Sequence, residues 1–335
     1  MHEFLKELNE KSFSLYDSFT VGESFHPSEE AARDYVREEN GELDAIFSFG
    51  HLDSDNIGGK KFFPKPFDLL QFKDGFFNPQ RAAYGEGWNT LVLENHDNPR
   101  CVNRFSINAA KYRYEAATML AAVTYMGFGT PFIYMGQEAG LVNCDFKSID
   151  EMMDPVSHFV YDLMTGYGMP KWLAFRFIKY GARDHSRVPI AWNDSANGGF
   201  NDGHKPWQCV NPKYLEINIK KDIESEKSVY RFYRKLLRIR KAHEEVILGK
   251  TREYDHENRR VIAYSRIYRG KKLFICANFS KYTTIYNFPD ELGKYKIVLN
   301  NYEVGGRPTS LPFVGKKGQK LILKPYQAVV LSCQH

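Results

Sequence analysis

The chain has 335 residues, of which 43% are hydrophobic and 26% charged, and its formal net charge is +5. This length allows one large domain and a small one, and the composition is that of a globular protein, which excludes intrinsic disorder. So small a net charge on a long chain gives no support to a nucleic-acid or membrane partner.

The cysteines are odd in number and show no C-x-x-C spacing. They are Cys101, Cys144, Cys209, Cys276 and Cys333. A disulfide framework or a zinc site is therefore not expected, and we predict neither a metal nor a cofactor. Free thiols are typical of a reducing compartment, which favours a cytoplasmic location.

The first part of the chain alternates short apolar strands with helices. The predicted strands are 18–22, 44–49, 89–93 and 130–134, and the predicted helices are 28–39 and 112–126. Such a β–α repeat predicts an α/β fold, with a parallel sheet covered by helices.

One uncharged stretch, residues 116–136, is long enough to cross a bilayer. Gly127, Gly129 and Pro131 interrupt it, so we expect a buried helix, a turn and a buried strand.

The second part contains helices and then strands. A helix-rich stretch covers 150–180, and a helix around 229–238 has a basic outer face. After about Gly249 the predicted strands are 261–267, 272–279, 283–288, 294–300 and 320–331. We therefore divide the chain into a partial (β/α)8 domain at 1–248, with a long loop at 141–210 after its last strand, and an all-β domain at 249–335 that resembles a β-sandwich.

Polar residues follow the predicted parallel strands. Glu23 follows the first strand, His96 and Asp97 follow the third, and Glu138 follows the fourth. Alone, each is more simply explained as a helix cap, turn or surface residue. Together they would meet at one end of a barrel, and converging carboxylates suit glycoside hydrolysis.

Four motifs occur in a fixed order along the chain. They are Thr-Val-Gly-Glu at 20–23, Glu-Asn-His-Asp-Asn-Pro-Arg at 94–100, Gly-Thr-Pro-Phe-Ile-Tyr-Met-Gly-Gln-Glu at 129–138 and Gly-Ala-Arg-Asp-His-Ser-Arg-Val-Pro at 181–189. In order and spacing the chain resembles the oligo-1,6-glucosidase and α-glucosidase branch of glycoside hydrolase family 13, in the α-amylase superfamily. The resemblance implies a TIM barrel and an α-glucoside oligosaccharide substrate.

The resemblance also implies two catalytic roles. Glu23 matches the general acid/base at the end of barrel strand five. Asp97 matches the carboxylate that holds sugar hydroxyls and stabilises the transition state. An acid that stays protonated near neutral pH needs an apolar setting, and we expect Phe19 and Val21 to help supply it.

Substrate binding is implied for four further residues. His96 and Arg187 match residues that contact the sugar, while Arg100 and Arg183 are expected to bind substrate or to shape the site from behind.

The family's nucleophile is not found. Its Gly-Phe-Arg-x-Asp pattern at the end of strand four is missing, and the partial match at 199–202 has no arginine and follows strand eight. Residues 1–16 resemble the helix after strand four. The resemblance therefore implies the C-terminal half of a barrel, strands five to eight. Strands one to four, the nucleophile, the inserted domain and the calcium loop would then lie upstream. Such a chain is expected to be inactive without its N-terminal half.

Three alternatives remain open at this stage. Trehalose-6-phosphate hydrolases share the motifs. A non-catalytic relative, such as the ectodomain of amino-acid transporter heavy subunits, would have no need for the four converging residues Glu23, His96, Asp97 and Arg187. A nucleic-acid-binding module depends only on the basic helix, and salt-sensitive DNA retention would identify it.

Overall fold

The computed structural model describes residues 1–24, 28–106, 109–289, 293–303 and 314–334. The helices are α1 (His2–Lys11), α2 (Glu29–Val36), α3 (Leu69–Ala83), α4 (Cys101–Phe105), α5 (Ala109–Tyr125), α6 (Pro155–Gly166), α7 (Lys171–Gly181), α8 (Asp184–Arg187), α9 (Ile219–Glu224), α10 (Val229–Ala242) and α11 (Glu244–Leu248). The first strands are β1 (Val21–Ser24), β2 (Ala45–Ser48), β3 (Asn56–Ile57), β4 (Lys60–Pro64), β5 (Thr90–Val92) and β6 (Thr130–Phe132). The later strands are β7 (Lys250–Tyr254), β8 (Val261–Tyr268), β9 (Lys271–Asn278), β10 (Thr284–Asn287), β11 (Gly293–Asn300), β12 (Val314–Gly315), β13 (Lys320–Leu323) and β14 (Ala328–Gln334).

Four parallel strands carry the site. β1 pairs with β2, β5 pairs with β6, and the Thr90 hydroxyl donates to the Ile46 carbonyl (3.0 Å), which places β5 beside β2. The carboxyl ends of all four strands therefore lie at one edge. β1 starts later than predicted: the amide and hydroxyl of Thr20, just before it, donate to the Asp44 carboxylate (2.6 and 2.7 Å).

The helix predicted in the uncharged stretch forms the centre of the core, but the strand predicted to be buried, β6, is only half-buried. Met119, Leu120 and Val123 of α5 are fully buried, and a turn then leads into β6. In the described part of the chain no helix combines the length and the apolar character needed to span a membrane.

Helix α3 was not predicted. Asp68 caps its start by accepting from the Leu70 amide (2.9 Å), and Phe72 and Phe76 are buried along one face. Gly75 and Pro79 interrupt the helical pattern in sequence. Gly75 is required by packing, because a Cβ there would lie 2.0 Å from the His51 amide nitrogen.

The C-terminal region forms two β layers. One sheet has the order β12–β11–β14–β9–β8–β7, and β10 pairs with β13 in a second sheet. Phe274 and Val329 of the large sheet share a core with Leu321 and Leu323 of the small one. The single strand predicted at 320–331 is in fact two strands in different sheets, and Tyr326, with a φ of 52°, lies at the turn between them.

A buried lysine connects the β domain to helix α3. Lys73 is 1% exposed, and its ammonium donates to the carbonyls of Asp255 (3.1 Å), His256 (2.8 Å) and Asn258 (2.6 Å) in the β7–β8 turn. The three carbonyls match the three ammonium hydrogens, and the nearby carboxylates of Asp255, Glu257 and Glu253 also favour the charged form.

Replacing Lys73 tests this connection. We expect Lys73→Met to lower the free energy of unfolding by about 1–3 kcal/mol, because three carbonyls would lose their donor. Urea unfolding measures the change, and Lys205→Met, at an exposed lysine, is the control. Equal effects of the two variants would contradict the role.

His51 is expected to make the fold sensitive to acid. Burial lowers the pKa of His51 from 6.5 to about 4, against the opposing effect of the hydrogen bond that its Nε2 makes to the Val92 carbonyl (2.7 Å). Between pH 6.5 and 4 the unfolded chain binds a proton that the folded chain does not, so stability falls as pH falls through this window.

The measurement is urea unfolding at intervals from pH 7 to pH 4. As the pH falls, the free energy of unfolding of His51→Gln should decrease less steeply than that of the parent chain. His204→Gln, at an exposed histidine, should show the same pH dependence as the parent. Parallel curves for His51→Gln and the parent would refute the assignment.

Candidate active site

A cavity of about 240 Å³ opens at the carboxyl ends of the parallel strands. Glu23 and His96 both line it, and Phe47, Phe49 and Phe132 supply apolar surface. The structure therefore brings together two residues that lie 73 positions apart in the sequence. A carboxylate, an imidazole and aromatic rings around one cavity suit a ligand with hydroxyls and an apolar face.

Glu23 projects from the end of β1, opposite Phe47 of β2. Its side chain is exposed. The apolar setting expected from Phe19 is wrong: Phe19 precedes β1 and lines a separate cavity of about 670 Å³, together with Asp44 and Trp88, at the amino ends of the strands. The rings near Glu23 belong to the neighbouring strands.

Asp97 is held by two arginines. Its Oδ1 accepts from Arg187 Nη2 (2.8 Å) and from Arg183 Nη1 (3.2 Å), and His96 Nε2 lies 3.6 Å from its Oδ2. Lys61 donates to the Asp97 carbonyl (3.0 Å). Burial acts to raise the pKa of Asp97, but the positive charges of His96, Lys61 and Arg183 outweigh it and lower that pKa. The carboxylate is therefore ionised and fixed in direction.

Arg187 also fixes the residue before Asp97. It ends the short helix α8, and its Nε donates to the His96 carbonyl (2.9 Å). The segment predicted to supply a site arginine thus reaches the strand end by contacting His96 and Asp97, but Arg187 itself does not line the cavity.

Arg183 connects Asp97 to a buried carboxylate that sequence reasoning did not identify. Its Nε and Nη2 donate to the two carboxylate oxygens of Asp154 (2.7 and 2.8 Å), which is 3% exposed and caps α6. Asp184 fixes the backbone there, since its Oδ1 accepts from the amides of Met153 (2.7 Å) and Asp154 (3.1 Å). The sequence feature that could have indicated this residue is Asp154-Pro155, a pair typical of the start of a helix.

Arg100 lies beneath the cavity. It is 1% exposed and donates to Glu94 Oε2 (2.9 Å) and to the Met135 carbonyl (2.9 Å). Glu94 lines the cavity, and its other oxygen accepts from the Cys101 amide (2.8 Å). Arg100 was expected either to bind substrate or to shape the site. A guanidinium buried in this way cannot contact a substrate directly, but it can hold Glu94 in the cavity wall.

Residues 199–202, which partly match the nucleophile motif, begin at the last residue of the turn Ala196–Gly199 and continue into a loop. Asp202 is exposed there and does not line the cavity. Glu138, at the end of the motif at 129–138, is half-buried, and burial raises its pKa. Within the described ranges, no three His, Cys, Asp or Glu side chains gather as a metal site.

Comparison with known proteins agrees with this architecture. Residues 1–249 match the family described as "Alpha amylase, catalytic domain", and residues 252–334 match "Alpha amylase, C-terminal all-beta domain". The chain therefore belongs to the α-amylase family of glycoside hydrolases and shares its TIM-barrel fold class.

Individual relatives are similar over nearly the whole chain. An oligo-1,6-glucosidase of Bacillus cereus is 37% identical, and a trehalose-6-phosphate hydrolase of Bacillus subtilis (strain 168) is 36% identical; each alignment covers 98% of this chain and 58% of the relative. The crystal structure of Bacillus licheniformis trehalose-6-phosphate hydrolase superimposes with a TM-score of 0.88 at 34% identity, over 99% of this chain and 59% of that one. The chain thus spans a little over half the length of these relatives.

Replacing Arg183 and replacing Arg187, the two arginines that bind Asp97, should lower the free energy of unfolding by different amounts. Arg183→Met is expected to lower the free energy of unfolding by about 2–4 kcal/mol, because it leaves Asp154 buried without its cation. Arg187→Met should cost less than about 1 kcal/mol, since its pair with Asp97 is partly exposed.

Guanidinium unfolding of the two variants gives the comparison. Arg183→Lys serves as an intermediate, because a lysine keeps the charge but not the two-oxygen contact with Asp154. An Arg187 variant that proves as unstable as the Arg183 variant would contradict this assignment.

Proposed function

We propose that this chain contributes the acid/base side of a retaining α-glucosidase that acts on short α-glucoside oligosaccharides, as an oligo-1,6-glucosidase does. The observation that carries the proposal is the cavity that Glu23 and His96 share at the carboxyl edge of the strands. The adjacent Asp97 supports the proposal, because its carboxylate is ionised and is held in one orientation by Arg183 and Arg187.

Each residue has a defined task in this proposal. Glu23 would protonate the leaving glycosidic oxygen and later take a proton from the attacking water. Asp97 would accept hydrogen bonds from sugar hydroxyls, which strengthen as the ring flattens toward the oxocarbenium-like transition state. His96 would donate to a hydroxyl from the same side. Because Glu23 is exposed, a bound sugar or a further protein segment would have to cover it before it could act as an acid near neutral pH.

We further propose that the four parallel strands correspond to strands five to eight of the barrel. A closed barrel of this class needs eight strands. An uncovered apolar face supports the proposal: Phe4 and Leu8, one turn apart on α1, are 71% and 45% exposed. Strands one to four, with the nucleophilic aspartate, would cover that face and bring their carboxylate to about 5–5.5 Å from Glu23.

The similarity to trehalose-6-phosphate hydrolases, at 36% identity, supports a second candidate within the same chemistry. The cationic groups beside Asp97, namely Lys61, Arg183 and Arg187, are consistent with either substrate, so the two are separated by assay. A cytoplasmic location accords with cysteines that are all free.

Activity is the direct test. The chain alone is expected to hydrolyse neither p-nitrophenyl α-glucoside nor isomaltose nor trehalose 6-phosphate. Among the described residues, the second carboxylate that lines the cavity is Glu94, and both of its oxygens are already bound by Arg100 and the Cys101 amide. Supplying strands one to four from an oligo-1,6-glucosidase relative, as a fusion or a separate chain, should give turnover. The preferred substrate then separates the two candidates.

The control is Glu23→Gln in the complemented enzyme, which keeps the side-chain shape but removes the proton. It should reduce kcat by at least about 10²-fold. Asp202→Asn, at the exposed partial match, should leave turnover unchanged. Turnover by the chain alone that survives Glu23→Gln would refute the proposal.

A further inference from the structure

Two thiols lie close together behind the site. Cys144 Sγ and Cys209 Sγ are 3.6 Å apart, although the residues are separated by 65 positions in the sequence. Cys144 is 2% exposed, whereas Cys209 retains part of its surface in solvent. The remaining cysteines lie in other core clusters, Cys101 under the parallel strands and Cys276 and Cys333 in the β domain.

We infer that Cys144 and Cys209 form a reversible disulfide in the presence of a small disulfide such as oxidised glutathione, and that this bond fastens the segment after α8. A disulfide places its sulfurs about 2.05 Å apart, so the two sulfurs must approach by about 1.5 Å, which small side-chain rotations can supply.

The chemistry proceeds by thiol–disulfide exchange. The Cys209 thiolate attacks one sulfur of the small disulfide, which forms a mixed disulfide and releases one thiolate. Cys144 then attacks the Cys209 sulfur and expels the second thiolate. The two protons from the protein thiols end on the two released thiols, so two cysteines are oxidised while one disulfide is reduced.

The order of attack follows from exposure and hydrogen bonding. Of the two thiols, Cys209 presents more surface to a reagent in solvent. The hydrogen bond from the Cys144 thiol lowers the pKa of Cys209, while burial and the nearby Glu151 and Asp184 oppose this effect. The same contact raises the pKa of Cys144, so Cys209 and not Cys144 supplies the first attacking thiolate.

The bond would join two segments that support the cavity. Gln208, next to Cys209, donates to Asp184 (3.1 Å), which fixes the backbone around Asp154. Asn143, next to Cys144, accepts from the Arg100 amide (2.8 Å). The crosslink would therefore connect the segment that positions Asp97 to the segment that positions Glu94.

The test uses the full chain, incubated with oxidised glutathione, quenched with N-ethylmaleimide and digested for mass spectrometry. We expect a peptide joining Cys144 to Cys209 and an intact mass lower by two hydrogens. The melting temperature should rise by roughly 5 °C and return on treatment with dithiothreitol.

Two variants make the result decisive. Cys144→Ser should retain glutathione on Cys209, because the resolving thiol is gone, and Cys333→Ser should form the crosslink like the parent. The inference is overturned if glutathione accumulates on Cys209 of the parent as it does in Cys144→Ser. It is also overturned if no Cys144–Cys209 peptide forms, or if the crosslinked chain melts at the same temperature as the reduced one.

Discussion

The guanidinium of Arg183 is the contact on which the candidate site depends. It binds both oxygens of the buried Asp154 and one oxygen of the partly exposed Asp97. A buried carboxylate is costly without a cation and hydrogen bonds, so Asp154 fixes where Arg183 must lie. The position of Arg183 in turn fixes the direction of Asp97. The need to neutralise a buried carboxylate thus also sets the orientation of Asp97, the residue that follows the cavity-lining His96.

The same arrangement recurs on the other side of the cavity. Glu94 and Arg100 form a buried pair, and the backbone amide of Cys101 supplies a further hydrogen bond. The cavity is thus bordered by one carboxylate that is fully satisfied and by another, Glu23, that is exposed. Two glutamates at the carboxyl ends of strands in the same sheet edge can have different chemistry because their surroundings differ, and the exposed Glu23 is the one of the two that a ligand can reach.

The β domain completes the core around α3 and α5. Tyr264 donates to the Val123 carbonyl (2.5 Å) within the buried helix α5, and Lys73 donates to carbonyls of the β7–β8 turn. These buried polar contacts cross the boundary between the two regions, so neither region has a fully satisfied interior alone. The role of the β domain in the described structure is therefore to cover the outer helices of the strands that carry the site.

The sequence by itself determined the features that depend on local pattern. The β–α alternation, the uncharged core helix, the later run of strands and the polar motifs at strand ends all arise from neighbouring residues, and their order carried the family resemblance. Helix α3 escaped detection because Gly75 and Pro79 mask its period, although Gly75 is there to let the chain pass His51. Only the tertiary structure decided which side chains meet across long separations: Arg183 with Asp154, the rings of other strands with Glu23, and Cys144 with Cys209. Local periodicity specifies which face of an element is buried, but the partner of a buried charge or thiol is set by packing between elements distant in sequence.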